Sequence, residues 1–228
     1  MTMVGRESES AAVLDLTSGV LVLTGEPGAG KSTLLGLAAD RHRGRVLRMT
    51  GTESEANLTF AGLHQLLRPV LGETTRLPGR QRSALLGAIG LGDGGFEGSG
   101  FGDPGCGDTG SEGTGREDGR HGGPPDRLLL GGALLTLLSD LARQSPVLVV
   151  ADDLQWIDAG SLELLAFAAR RIGDEPLAVL AGTRDAREGI RGGATAPFSG
   201  FPLPSVSAAR PGGRTWTTGC GRRPVPPP

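Results

Sequence analysis

The 228-residue sequence has no tyrosine, few aromatic residues of any kind, two cysteines, three histidines and almost no net charge. Each shortage narrows what the chain can do. Cys106 and Cys220 form neither a disulfide framework nor a metal-ligand spacing, and they point to a reducing, cytoplasmic setting. His42, His64 and His121 are scattered, which argues against a histidine metal site. A formal charge of −2 marks neither a nucleic-acid nor a membrane surface. No apolar run approaches the about 18 residues that a spanning helix needs. The N-terminus carries no basic-then-apolar signal, since Arg6-Glu7-Ser8-Glu9 is polar and mixed in charge. What the chain has in excess is glycine and proline, 40 and 16 residues, gathered in two blocks. Outside those blocks the composition is that of an ordinary α/β domain.

One stretch dominates the remainder. Gly25-Glu26-Pro27-Gly28-Ala29-Gly30-Lys31-Ser32 fits the P-loop (Walker A) pattern G-x-x-x-x-G-K-[ST], and Thr33 follows it directly. An apolar, β-branched run, Gly19 to Thr24, precedes it and reads as a buried strand. A helical pattern, Lys31 to Asp40, follows. The glycines let the backbone take positive φ and approach a phosphate closely. Successive N–H groups then share one concavity with the partial positive charge of a helix N-terminus. In this reading residues 25–33 bind the cofactor, Lys31 reaches the β- and γ-phosphates as a catalytic cation, and the Ser32 hydroxyl sits on Mg²⁺. The alternative is a glycine-rich turn with no ligand.

Along the chain, Ala11 to Leu16 is an amphipathic piece too short to be a stable helix alone. Val46 to Met49 is expected to be a strand, and the arginines of Arg41–Arg45 a solvated turn and strand edge, with contact to an anionic partner as the alternative. Glu53 to Leu71 is expected to be one helix with Leu58, Phe60, Ala61, Leu63, Leu66 and Leu67 on its apolar face, ended or kinked at Pro69. Gly79 to Ile89 and Asp126 to Arg143 read as helices, Pro146 to Ala151 as a strand covered on both faces, Ser161 to Arg171 as a helix, and Pro176 to Thr183 as a strand. Residues 90–125 are expected to be a disordered glycine-rich insertion, with a glycine-rich Ca²⁺-binding repeat as the alternative. Residues 186–228 are expected to be a disordered tail. Strands alternating with helices argue a parallel sheet wrapped by helices over residues 1–185.

A second motif completes the first. Val147 to Ala151 is an apolar strand ending in Asp152-Asp153, which has the form of a Walker B motif. A carboxylate at the carboxyl end of a buried strand near a P-loop holds Mg²⁺ through water, and Asp152 is the metal-side candidate. Asp153 is the candidate that orients or deprotonates an attacking water. Capping of the following turn is the alternative role for the pair. Thr183, Arg184 and Asp185 stand at the end of the next strand, where a polar residue, with Thr183 the candidate, is expected to face the γ-phosphate; a plain strand-to-loop turn is the alternative. Trp156 is expected to pack rather than to stack on a base.

These motifs, with Val4-Gly5-Arg6-Glu7, Phe60-Ala61-Gly62-Leu63-His64-Gln65-Leu66-Leu67-Arg68-Pro69, Asp152 to Asp158 and Ala181 to Asp185, resemble the N-terminal ATPase domain of large LuxR-family transcriptional regulators from actinobacteria. Those proteins belong to the AAA-like STAND class of signalling P-loop NTPases. The resemblance covers about residues 4–89 and 126–185. It implies a three-layer α/β fold with AAA-like sheet order, ATP and Mg²⁺ as cofactors, and a switch module for transcriptional regulation. It also implies self-association or a protein partner, with no direct nucleic-acid or membrane binding by this chain.

Measured against that family, the chain is expected to be truncated, without the helical lid and the DNA-binding helix-turn-helix. The strand that in the family closes the far edge of the sheet, next to the P-loop strand, is expected to be missing or only weakly echoed at Phe198–Val206. Slow hydrolysis at best follows, because a transition-state arginine is worth roughly 10³–10⁵ in rate and relatives place such groups in the lid or a neighbouring subunit. A truncated interaction fragment that binds no nucleotide, and a small-molecule kinase, remain the alternatives.

Overall fold

The computed structural model describes residues 7–92 and 126–184. The expected insertion beyond residue 92 and the expected tail lie outside them, as do Val4-Gly5-Arg6, Asp185 and Phe198–Val206. Four strands, β1 (Gly19–Gly25), β2 (Arg45–Thr50), β3 (Val147–Asp152) and β4 (Leu177–Arg184), form one parallel sheet in the order β1-β4-β3-β2. The sequence order and the spatial order differ because parallel neighbours need a crossover, here supplied by helices.

The helices cover both faces. α1 (Glu7–Leu14) and α2 (Lys31–Arg41) lie on one side, where Val13, Leu34, Leu35 and Ala38 pack with Leu23, Leu148, Val150 and Leu180. On the other side α3 (Ala61–Leu67), α4 (Gly79–Ala88), α5 (Arg127–Gln144) and α6 (Ala159–Ala169) pack with Leu47, Met49, Val149, Ala151, Val179 and Ala181. Alternate residues of β3 therefore enter different cores, Val147, Val149 and Ala151 one and Leu148 and Val150 the other. A strand buried on both faces has no place for a polar residue, which is why this segment reads as an unbroken apolar run. The three-layer α/β expectation holds. Among the described residues no helix is long and apolar enough to cross a membrane.

One expected element is corrected. Residues 53–71 are not a single helix: a 3₁₀ turn at Glu53–Glu55 is followed by α3, then by irregular 3₁₀ structure over Arg68–Arg76, which contains Pro69. Leu58, expected on the apolar face, is 57% exposed. The break falls at Phe60, whose backbone is left-handed with φ 62° and ψ 20°, a rare state for a bulky residue. Its cause lies far along the chain. Asp158 is buried, and its carboxylate accepts from the backbone N–H groups of Phe60 (2.9 Å), Gly62 (3.0 Å) and Ser161 (2.9 Å). Ser161 Oγ accepts from Leu63 N at 2.7 Å.

One carboxylate thus caps two helices, its own α6 and the distant α3. Three otherwise orphaned donors outweigh the continued helix, since a buried unsatisfied N–H costs roughly 1–3 kcal/mol. The fit is close: a Cβ on Gly62 would stand 2.9 Å from Ile157 Cγ2, and one on Gly160 2.9 Å from the Phe60 ring. Gln65 fastens the same region to the sheet, accepting from Thr50 N (3.0 Å) and donating to Thr50 O (3.2 Å).

Candidate nucleotide-binding site

β1 delivers the chain to the sheet's carboxyl edge, and the loop over Glu26–Gly30 turns it into α2. The turn is closed by Ala29 N donating to Glu26 O at 3.1 Å. Gly28 and Gly30 both have positive φ, 78° and 82°, which would cost a residue with a Cβ roughly 1–2 kcal/mol each. Gly30 stands at the N-cap of α2 and, having no side chain, brings no cap of its own to that end. The first N–H groups of α2 have no acceptor within the helix and face the loop's concavity instead. Lys31 is 7% exposed, and its Nζ donates to Gly25 O (2.8 Å) and Glu26 O (3.0 Å). The sequence-predicted residues of this stretch are therefore together, with Ser32 and Thr33 exposed at the helix start.

The ends of β3 and β4 form the facing wall. Pro27, Gly28, Gly30, Lys31, Ser32, Thr33, Asp153 and Arg184 line one open cleft of about 390 Å³. Asp152 ends β3, and its Oδ1 accepts from Asp153 N at 2.9 Å. A Cβ on Gly182 would stand 3.0 Å from that oxygen and 3.1 Å from Leu35 Cδ1, so the glycine of β4 makes room for the carboxylate. Asp153 takes the left-handed conformation, φ 52° and ψ 52°, which aspartate tolerates better than most residues. Thr183 is buried, and its hydroxyl donates to Gln155 Oε1 at 3.2 Å. The next residue, Arg184, is exposed and lines the cleft.

The sequence put Arg184 beside Thr183 among the polar residues at the end of β4, where one is expected to face the γ-phosphate, but it assigned no part of the site to Gln155. Gln155 ties the two strand ends together through its amide, and Arg184 lies over the Trp156 ring with its guanidinium carbon 5.8 Å from the centroid. For Gln155 the signal was faint: one amide in the turn after β3. Trp156 is half-buried. The 3₁₀ turn it shares with Leu154 and Gln155 leads to Asp158, which caps α6.

The residues present suit a polyphosphate and its cation. A helix start behind a glycine N-cap, two glycines at positive φ, a lysine and an arginine offer donors and positive charge to phosphate oxygens. Ser32 and Asp152 offer the hard oxygens that Mg²⁺ takes. No curated protein matches the chain. Comparison with protein-family profiles matches residues 2–180 to the AAA ATPase domain, more than half of the chain. With its parallel sheet and a nucleotide-type loop at the carboxyl edge, the chain belongs to the AAA ATPase domain family.

Proposed function

We propose that this chain binds ATP with Mg²⁺ in the cleft beside α2. The observation that carries the reading is the convergence of Gly28, Gly30, Lys31, Ser32, Asp153 and Arg184 on one cleft from three different elements. In it, the loop over Gly25–Gly30 and the start of α2, with Thr33, hold the phosphates. Lys31 balances their charge, and Ser32 and Asp152 hold the Mg²⁺. Bound Mg²⁺ draws negative charge from the terminal phosphates. Asp153 orients water, and Thr183 supports the terminal-phosphate side through Gln155. Hydrolysis is slow in this reading, because the cleft's arginine, Arg184, lies over Trp156, and a transition-state arginine is worth roughly 10³–10⁵ in rate.

We further infer that the domain is a cytoplasmic switch module of a STAND-type, LuxR-like regulator, whose nucleotide state governs self-association or a protein partner. The support is the resemblance of residues 60–69, 152–158 and 181–184 to that class, and the position of the first two in the Asp158 cap.

Titration of the purified chain with a fluorescent ATP analogue, with and without Mg²⁺ and beside Lys31→Ala, tests the reading. Saturable binding that needs both Mg²⁺ and Lys31 is the expected result. Binding that ignores Lys31, or none from soluble protein, overturns it. A metabolite that accepts phosphate from ATP in the same preparation would move the assignment to a kinase.

A further inference from the structure

Gln155 lies between the two strand ends that frame the cleft. Its Nε2 donates to Asp153 Oδ1 at 2.7 Å, and its Oε1 accepts from Thr183 Oγ1 and Arg184 N, both at 3.2 Å. The orientation of the amide is set by chemistry. An ionised carboxylate only accepts and a backbone N–H only donates, so a flipped amide would lose the bonds to Asp153 and Arg184 together.

The position of Gln155 is as informative as its bonds. The β3–β4 ladder ends at Ala151 and Ala181, whereas the β1–β4 ladder runs on to Gly25 and Arg184. Over its last residues β4 has no pairing with β3, and Gln155 takes the Arg184 N–H there. Arg184 then reaches back over Trp156, the neighbour of Gln155. Asp153 on one side is held in a left-handed backbone, and on the other side stands the only stretch of β4 that lines the cleft.

Among the described residues that line the cleft, Asp153 and Arg184 are the charged ones that do not come from the P-loop or α2. The loop and helix start offer donors to any phosphate placed there. A ligand with one more phosphate presents more negative charge to whatever the strand ends contribute. We propose that Gln155 is a positioning residue that sets the spacing between the Asp153 carboxylate and the Arg184-bearing end of β4, and thereby how the cleft tells a nucleoside triphosphate from a diphosphate. This rests on the nucleotide-binding reading above.

The test uses the full chain with Trp216→Phe as parent, which leaves Trp156 as the single tryptophan. Affinities for Mg²⁺ with a non-hydrolysable ATP analogue and for Mg²⁺ with ADP are measured on the parent, Gln155→Ala and Gln155→Glu. Acrylamide quenching of Trp156 is measured without nucleotide. Gln155→Ala is expected to weaken the triphosphate by about tenfold and the diphosphate by no more than about twofold, the effect of one charge-assisted contact set. It is also expected to raise Trp156 quenching.

Gln155→Glu keeps the volume and the acceptor toward Thr183 and Arg184 but sets a carboxylate against Asp153. It is expected to keep the triphosphate loss with quenching close to the parent, and it decides the matter if the alanine variant does not fold. Equal weakening of both nucleotides, or none of either, in a folded variant overturns the proposal. A parent that binds neither nucleotide overturns the nucleotide-binding reading itself, and the assignment of Gln155 with it.

Discussion

Two polar regions flank the turn after β3, and they are built by opposite rules. At the Asp158 cap a buried carboxylate has a donor at each approach, three backbone N–H groups from two segments, with glycines packed so tightly that a methyl group would collide. At the P-loop the N-cap is a glycine with no side chain to cap the helix, Gly28 has open space where a Cβ would stand, and the hydroxyls of Ser32 and Thr33 are exposed. The first region satisfies its polar groups internally and so contributes stability. The second leaves the hydroxyls of Ser32 and Thr33 on the surface, where a ligand reaches them. A protein that spent every donor in its own fold would have none left for phosphate.

That contrast can be broken from either side. The largest effect is expected at the cap. Asp158→Ala strands three buried N–H donors and should cost about 3–5 kcal/mol in urea unfolding at neutral pH. Asp158→Asn keeps one acceptor oxygen and should cost about 1–2 kcal/mol. An alanine variant as stable as the wild type would mean that the cap does not hold α3 in place.

In the cradle the order reverses. Lys31→Ala should weaken ATP binding by about 100-fold, as loss of a charge-assisted contact to phosphate does, and should lower stability by about 1–2 kcal/mol, since the buried Nζ also donates to Gly25 O and Glu26 O. Isothermal titration beside urea unfolding separates the two quantities. Gly28→Ala is intermediate. Its Cβ meets nothing, so only the positive φ opposes it, and a stability loss of about 1–2 kcal/mol is expected.

The smallest effect is expected far from both regions, at Glu175. Its own backbone N–H, and then the Gly173 N–H at 3.0 Å, hold its carboxyl below the usual 4.5. A depressed value stabilises the fold above the unfolded-state pKa, and that contribution is lost as pH falls through the folded value. Glu175→Gln should therefore be less stable than wild type at pH 7 by only about 0.3 kcal/mol, because the group is largely solvated, and equal to it well below pH 4.5. Thermal unfolding at pH 7 and pH 3 reads the difference.

How far the molecule was legible followed the range of its causes. The loop over Gly25–Ser32 was readable because its chemistry is contiguous: the glycines, the lysine and the following helix are neighbours in the chain. The strand ending in Asp152 was readable because burial on both faces removes polar residues until the edge is reached. The break at Phe60 was not, since its cause is a carboxylate 98 residues away, and the apolar spacing of residues 58–67 suits one long helix as well as a short one. Leu58 is the residue that spacing misplaced. Gln155 escaped for a related reason. Its partners Thr183 and Arg184 lie 28 and 29 residues on, and an amide in a turn after a strand announces nothing until the sheet order brings β4 beside β3.

The central claim is that stability resides in the cap and ligand binding in the cradle. It is tested most directly by thermal unfolding of wild type and Lys31→Ala, each with and without Mg²⁺ and ATP at about 100 times the dissociation constant. Wild type should rise by about 5–10 °C, as linkage predicts for a ligand bound only to the folded state. Lys31→Ala should melt a few degrees below ligand-free wild type, because it loses the two Nζ hydrogen bonds, and at the same temperature with and without nucleotide. A variant that rises as far as the wild type would contradict the claim, as would one that melts far below it without nucleotide.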